Sequence, residues 1–145
     1  YELRERFGLN DGSGVKVLAR VQKLGLVSPL GDDLYEVTSP SLLDAAEQAR
    51  RRGMDITHTV SAVAELERHS TAVARRFVKL FLEDVWKPFA DAGMPADRWP
   101  AVAEAIEETR PLAAEAVLGV FRQTMSREVE ATFADIAKRL SEGKR

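Results

Sequence analysis

The side chains able to do chemistry in this 145-residue chain are few and widely spaced. Two histidines occur, His58 and His69, eleven residues apart on a segment with helical periodicity. At a rise of about 1.5 Å per residue they stand about 16 Å apart, too far to share one metal ion within a chain. Glu65, Glu67, Glu83 and Asp84 offer carboxylates, but none falls into an Asp/Glu/His arrangement with ligand spacing. The absence of cysteine removes thiolate ligands, thiol nucleophiles and disulfides together. Ser13 has no partner base nearby in sequence. Gly12-Ser13-Gly14 also lacks the longer phosphate-loop pattern ending in Lys-Ser/Thr, so this triplet reads as a flexible turn. Catalytic residues, metal ligands and cofactors are not expected, and the chain is read as a non-enzyme.

The chemistry left is that of charge and apolar contact. Arg50-Arg51-Arg52 is the one dense basic run, and it sits where a helix is expected to end, a place that favours cations without any partner. The aromatic residues Phe77, Phe81, Trp86, Phe89, Trp99, Phe121 and Phe133 fall at helical spacings. They fit either core packing or a pocket between helices for a small apolar ligand. Val60, Val63, Leu66 and Val73 lie on one long helical segment in a/d-like positions, though not in a sustained heptad, and are the expected seam of a homodimer.

The elements that carry these residues divide the chain in two. Five of the nine glycines fall between Gly8 and Gly31, and with Pro29 and Pro40 they punctuate short elements. Leu3 and Phe7 predict a short helix ending at Gly8. Val15, Val17, Leu18, Val21 and Leu24 keep a helical rhythm that Gly25 stops. Leu26–Leu30 and Leu34–Thr38 read as two strands of a hairpin around Gly31-Asp32-Asp33. Ser39 or Ser41 is suited to cap a helix with Pro40 in its first turn, ending at Gly53. From Asp55 onward the pattern is almost wholly helical. Asp55 or Thr57 caps a long segment that Pro88 kinks or ends, Gly93-Met94-Pro95 marks a turn, and a further helix breaks or kinks at Pro111. A last amphipathic stretch carries Val129, Phe133, Ile136 and Leu140. The expected fold is mainly α: a winged helix-turn-helix-like head with a small β-hairpin over residues 1–56, then an α-helical bundle with one long helix over 57–145.

Composition agrees with an ordered globular chain, 45% hydrophobic and 30% charged. A net charge of −2 gives no global field toward nucleic acid or anionic lipid. Charges interrupt every apolar stretch, so no membrane span or signal segment is expected, and the cytoplasm is the natural compartment. The chain begins at Tyr1 and is read as a piece of a longer protein.

The head resembles the DNA-binding domain of the MerR family of transcription regulators, actinobacterial members included. The likeness rests on Glu5-Arg6-Phe7-Gly8-Leu9, Lys23-Leu24-Gly25-Leu26-Val27-Ser28-Pro29, Leu34-Tyr35-Glu36-Val37-Thr38, Leu42-Leu43, and Arg51-Arg52-Gly53-Met54-Asp55-Ile56, in family order over about 60 residues. The segments 74–89 and 110–117 are similar to the C-terminal region of some actinobacterial members. Those members carry a full DNA-binding head upstream, so this head would be a second, divergent copy.

The resemblance implies a cytoplasmic, DNA-binding transcription regulator whose helical body dimerises and senses an effector. It implies DNA contacts from Lys16, Arg20 and Lys23 on the second helix and a phosphate contact near Arg51. It also implies a pocket for a small apolar effector lined by Phe77, Phe81, Trp86, Trp99 and Phe121. This sequence departs from the pattern at the recognition helix, which reads Leu18-Ala19-Arg20-Val21-Gln22-Lys23, and at the wing. There Glu36 stands where the family presents arginine, with Asp32 and Asp33 before it, and carboxylates repel the DNA backbone. Two further readings stay open: a head that itself binds DNA through its second helix, and a ligand-binding or protein-interaction helical module with no nucleic-acid role.

Overall fold

The computed structural model describes residues 3, 7, 12–31 and 34–143, which form two compact units, Tyr1–Ala72 and Val73–Arg145. The fold is mainly helical with one small antiparallel hairpin, as the sequence predicts.

In the first unit, Leu3 and Phe7 are helical and buried; Gly8, the expected end of their helix, lies outside the described residues. Helix α1 covers Gly12–Lys23. It therefore takes in Gly12-Ser13-Gly14, where the sequence suggests a flexible turn. Gly14 is buried, so a residue without a side chain suits the first turn of a helix that lies against a core. Val17 and Leu18 turn inward while Val15 is exposed. The helix closes as a Schellman motif: Gly25, in left-handed conformation, donates to the carbonyl of Gln22, and Leu26 donates to that of Val21.

Strands β1 (Val27–Gly31) and β2 (Leu34–Val37) pair antiparallel, with Val27 opposite Val37, Ser28 opposite Glu36 and Pro29 opposite Tyr35. The two-residue period turns Val27, Tyr35 and Val37 toward the core and leaves Ser28 and Glu36 outside. The register is irregular between Pro29 and Gly31, where proline has no N–H to give the ladder. Asp32 and Asp33 of the expected turn lie outside the described residues.

Helix α2 (Pro40–Arg51) follows Ser39 with proline in its first turn and ends at Gly53 in a second Schellman motif, Gly53 to Arg50 and Met54 to Ala49. Helix α3 (Ile56–Phe81) is capped by Asp55, not Thr57: the Asp55 carboxylate accepts the N–H groups of Thr57 at 2.8 Å and His58 at 3.1 Å. Val60 of α3 joins Leu3, Phe7, Val17, Leu18 and Val27 in the head's core. The first compact unit runs to Ala72, while the sequence texture suggests a boundary at residue 56.

In the second unit, α3 gives way after Phe81 to a π-helical turn, Leu82–Trp86, in which Lys87 donates five residues back to Leu82. A short helix α4 (Lys87–Asp91) then holds Pro88 in its first turn. The widened turn lies just before the residue that lacks a donor and would crowd a normal α-turn, and the expected kink takes this form. After a 3-10 turn at Ala96–Arg98, helix α5 runs from Trp99 to Glu142, 44 residues without interruption. Two sequence expectations change here. Pro111 sits inside α5, where it forfeits one rung of a long ladder without breaking it, and the stretch from Val129 is the continuation of α5 and not a separate helix. No helix among the described residues is long and apolar enough to cross a membrane.

Candidate functional site

Helix α1 carries Lys16, Arg20 and Lys23 at steps of four and three, which places them within about 60° of one another around the helix axis. All three are exposed, on the side away from Val17, Leu18 and Val21. The lever for their placement is the inward face: the core fixes α1's rotation, and the cations take what remains outside. Arg20 is further steadied from α3, since its Nη1 donates to Ser61 Oγ at 2.9 Å. Ser61 Oγ in turn donates to the carbonyl of Thr57.

The surroundings of this basic face are mixed. On α3, the Arg68 guanidinium hydrogen-bonds Glu65 and holds its carboxyl below the usual carboxylate range, with the charges of Arg68, His69 and Arg20 adding to the effect. On the hairpin, Glu36 is exposed. Arg51, the fourth expected DNA contact, is on the last turn of α2 and is engaged by Glu47 four residues back, while Arg52 donates to the carbonyl of Gln48. These are the contacts expected of cations at a helix C-terminus.

The expected dimer seam divides. Val60 is buried in the head's own core, and Val63 is half-buried at the edge of the small cavity beside it. Leu66 and Val73 are exposed. The physical reason is that α3's first turns must cover the hairpin and α1, and this use of the apolar stripe precedes any use between chains.

The five aromatics expected to line an effector pocket are not gathered into one. Trp86 and Trp99 both pack on Phe89, with ring centroids 5.7 and 5.9 Å apart, and Phe89 is buried. Three tilted rings in contact fill space instead of enclosing it. Phe77 lines a shallow surface depression of about 260 Å³ with Arg76, Lys79, Leu80 and Glu83. Phe81 is half-buried and Phe121 is exposed. A different cavity, of about 70 Å³, lies within the head among α1, the hairpin, α2 and α3, lined by apolar groups including Val17, Leu43, Ala46 and Val60. It is well below the several hundred Å³ of a drug-sized site.

Among the described residues no group of three or more His, Cys, Asp or Glu side chains could hold a metal ion. His69 stands beside Glu65 on α3, its Nε2 3.7 Å from Oε2, and the His58 backbone N–H is taken by the Asp55 cap.

The feature that sequence reading missed is on α5. Leu118, Phe121, Met125, Val129, Phe133, Ile136 and Leu140 form an exposed apolar stripe, with Phe133 65% and Leu140 66% accessible. The signal is the eleven-residue spacing of Leu118, Val129 and Leu140, which a new helix expected near Val129 divides. A second stripe, Val102, Ile106, Thr109 and Ala113, lies on roughly the opposite side of the same helix, about 155° around, and includes buried Val102.

Neither family models, nor curated proteins, nor solved structures yield a match to this chain.

Proposed function

We propose that this chain is part of a MerR-like DNA-binding transcription regulator, in which the helical body brings two copies together. One observation carries the reading: helix, paired hairpin, helix and long helix follow one another in the order of a winged head, with Val27 and Val37 paired across the hairpin. A symmetric pair of such heads matches the two-fold symmetry of a palindromic operator. A small apolar effector remains the ligand class implied by the resemblance, though none of the cavities described above is of drug size and enclosed.

A second reading, that this head itself contacts DNA, is favoured by the single exposed face shared by Lys16, Arg20 and Lys23. Cations so placed on the second helix of a winged head can meet phosphates in register, and the exposed Glu36 keeps the wing off the backbone.

Selection of the full chain on a pool of random duplexes, followed by sequencing and anisotropy titration at about 50 and 200 mM salt, tests both readings. Enrichment of inverted repeats with salt-sensitive affinity supports the regulator, and loss of affinity in K16A/R20A/K23A assigns the contact to this head. Absence of enrichment, with no salt-dependent binding at the lower salt, sinks DNA contact by this head; the same outcome with the full-length protein sinks the regulator reading and leaves a helical interaction module.

A further inference from the structure

Helix α5 leaves an apolar stripe uncovered from Leu118 to Leu140, a length of about 33 Å at 1.5 Å per residue. Leu118, Val129 and Leu140 follow one another at eleven residues, three turns plus about 20°, so the stripe runs almost straight along the helix. Seven side chains including two phenylalanines offer several hundred Å² of apolar surface. That is more than a monomer usually leaves open in one patch, and it approaches the roughly 800 Å² per partner of a stable interface.

What covers the stripe is indicated by its symmetry and its charge. About Val129 the spacing mirrors itself: Met125 and Phe133 at four residues, Phe121 and Ile136 at eight and seven, Leu118 and Leu140 at eleven. A second copy of α5 laid antiparallel over the first therefore sets Met125 against Phe133, Phe121 against Ile136 and Leu118 against Leu140, with Val129 on the two-fold axis. Such self-matching is what an isologous contact requires. A lipid surface is a poor alternative occupant, because the stretch from Leu118 to Glu142 balances Arg122, Arg127, Lys138 and Arg139 against Glu128, Glu130, Asp135 and Glu142 and has no cationic excess for anionic headgroups.

We infer that the exposed stripe of α5 is an antiparallel self-association seam centred on Val129. This deepens the pairing half of the proposed function and requires no contact with DNA. It moves the seam away from α3, whose Val60 is occupied within the head's core.

The full chain at micromolar concentration is expected to scatter light as twice its 16.1 kDa mass. Met125→Lys and Phe133→Glu each favour the monomer, lowering association at least tenfold, with helical content unchanged because both positions are exposed. The double variant M125K/F133E recovers association, since an antiparallel pair sets each introduced lysine against an introduced glutamate, whereas a parallel pair opposes like charges. The chain has no cysteine of its own, so Val129→Cys is expected to oxidise to a disulfide-linked dimer while Leu118→Cys is not. A monomeric wild-type chain, recruitment of a monomer to anionic vesicles, equal cross-linking of both cysteine variants, or a double variant weaker than either single one overturns the seam. Duplex selection is a separate readout, so the seam and the regulator reading fail independently.

Discussion

Arg20 on α1 and Ser61 on α3, forty-one positions apart in sequence, are joined by a hydrogen bond of 2.9 Å from guanidinium to hydroxyl. The bond ties the helix that presents the basic face to the helix that closes the head's core. It also gives Arg20 a structural role that removal of the side chain would confuse with a role in DNA contact. Ser61→Ala separates the two, because it deletes the acceptor and leaves the charge. The expected cost is about 1 kcal/mol or less for this exposed pair, read as a shift of the urea midpoint at unchanged m-value. Salt-dependent DNA affinity is expected to survive in Ser61→Ala and to fall in Arg20→Ala.

The cap at the start of α3 makes the head's stability depend on pH. Hydrogen bonds from the backbone N–H of His58, first, and of Thr57 hold the Asp55 carboxyl below its ordinary value. A group whose folded pKa is depressed stabilises the fold above its unfolded value of about 3.9 and loses that contribution as pH falls through the folded pKa. Glu65, lowered by Arg68, loses its contribution in the same acidic direction. Asp55→Ala is expected to lower the melting temperature at pH 7 and to converge on the wild type in acid. Asp55→Asn keeps an acceptor for the cap but does not titrate, so it flattens the acid limb. Melting curves between about pH 2 and pH 7 check the order; an Asp55→Asn curve parallel to wild type would remove the cap as the cause.

Gly53 ends α2 at φ 84°, a left-handed conformation that an L side chain adopts at a cost of about 1–2 kcal/mol. A Cβ built there meets nothing within 4 Å, so the whole expected penalty of Gly53→Ala is backbone strain. Asparagine tolerates this conformation better, and Gly53→Asn is expected to fall between wild type and alanine. Chemical denaturation of the three chains checks the ranking.

Local signals were legible wherever chemistry is decided within a few residues. The glycines that stop α1 and α2, the aspartate before α3 and the two-residue alternation of the hairpin all sit where a reading of the chain puts them, because caps, turns and strand faces depend on neighbours. Val60 was not legible as a core residue. An apolar stripe on a long helix looks the same whether it covers a hairpin in its own chain or a second copy, and only the tertiary packing decides. Proline misled in the other direction. Pro111 suggests a break or a kink, yet the helix of 44 residues continues through it.

Phe89 decides whether the aromatics of the second unit are core or cavity. Its ring lies between Trp86 and Trp99 and is only 3% exposed, and it stands at the junction of the π-helical turn, α4 and the start of α5. If this cluster is packing, truncation removes the central ring of three and leaves both indoles without their common partner. Phe89→Ala is then expected to cost about 3–5 kcal/mol, and Phe89→Leu, which keeps most of the volume, markedly less. Phe121→Ala, on the exposed face of α5, is expected to cost the monomer's fold nothing measurable, so the two phenylalanines separate under denaturation at low protein concentration. If the cluster were instead a ligand cavity, Phe89→Ala would cost little, and an apolar probe such as benzene would bind the wild-type chain and raise its melting temperature. Expected instead is that benzene stabilises only the alanine variant, through the space the missing ring opens.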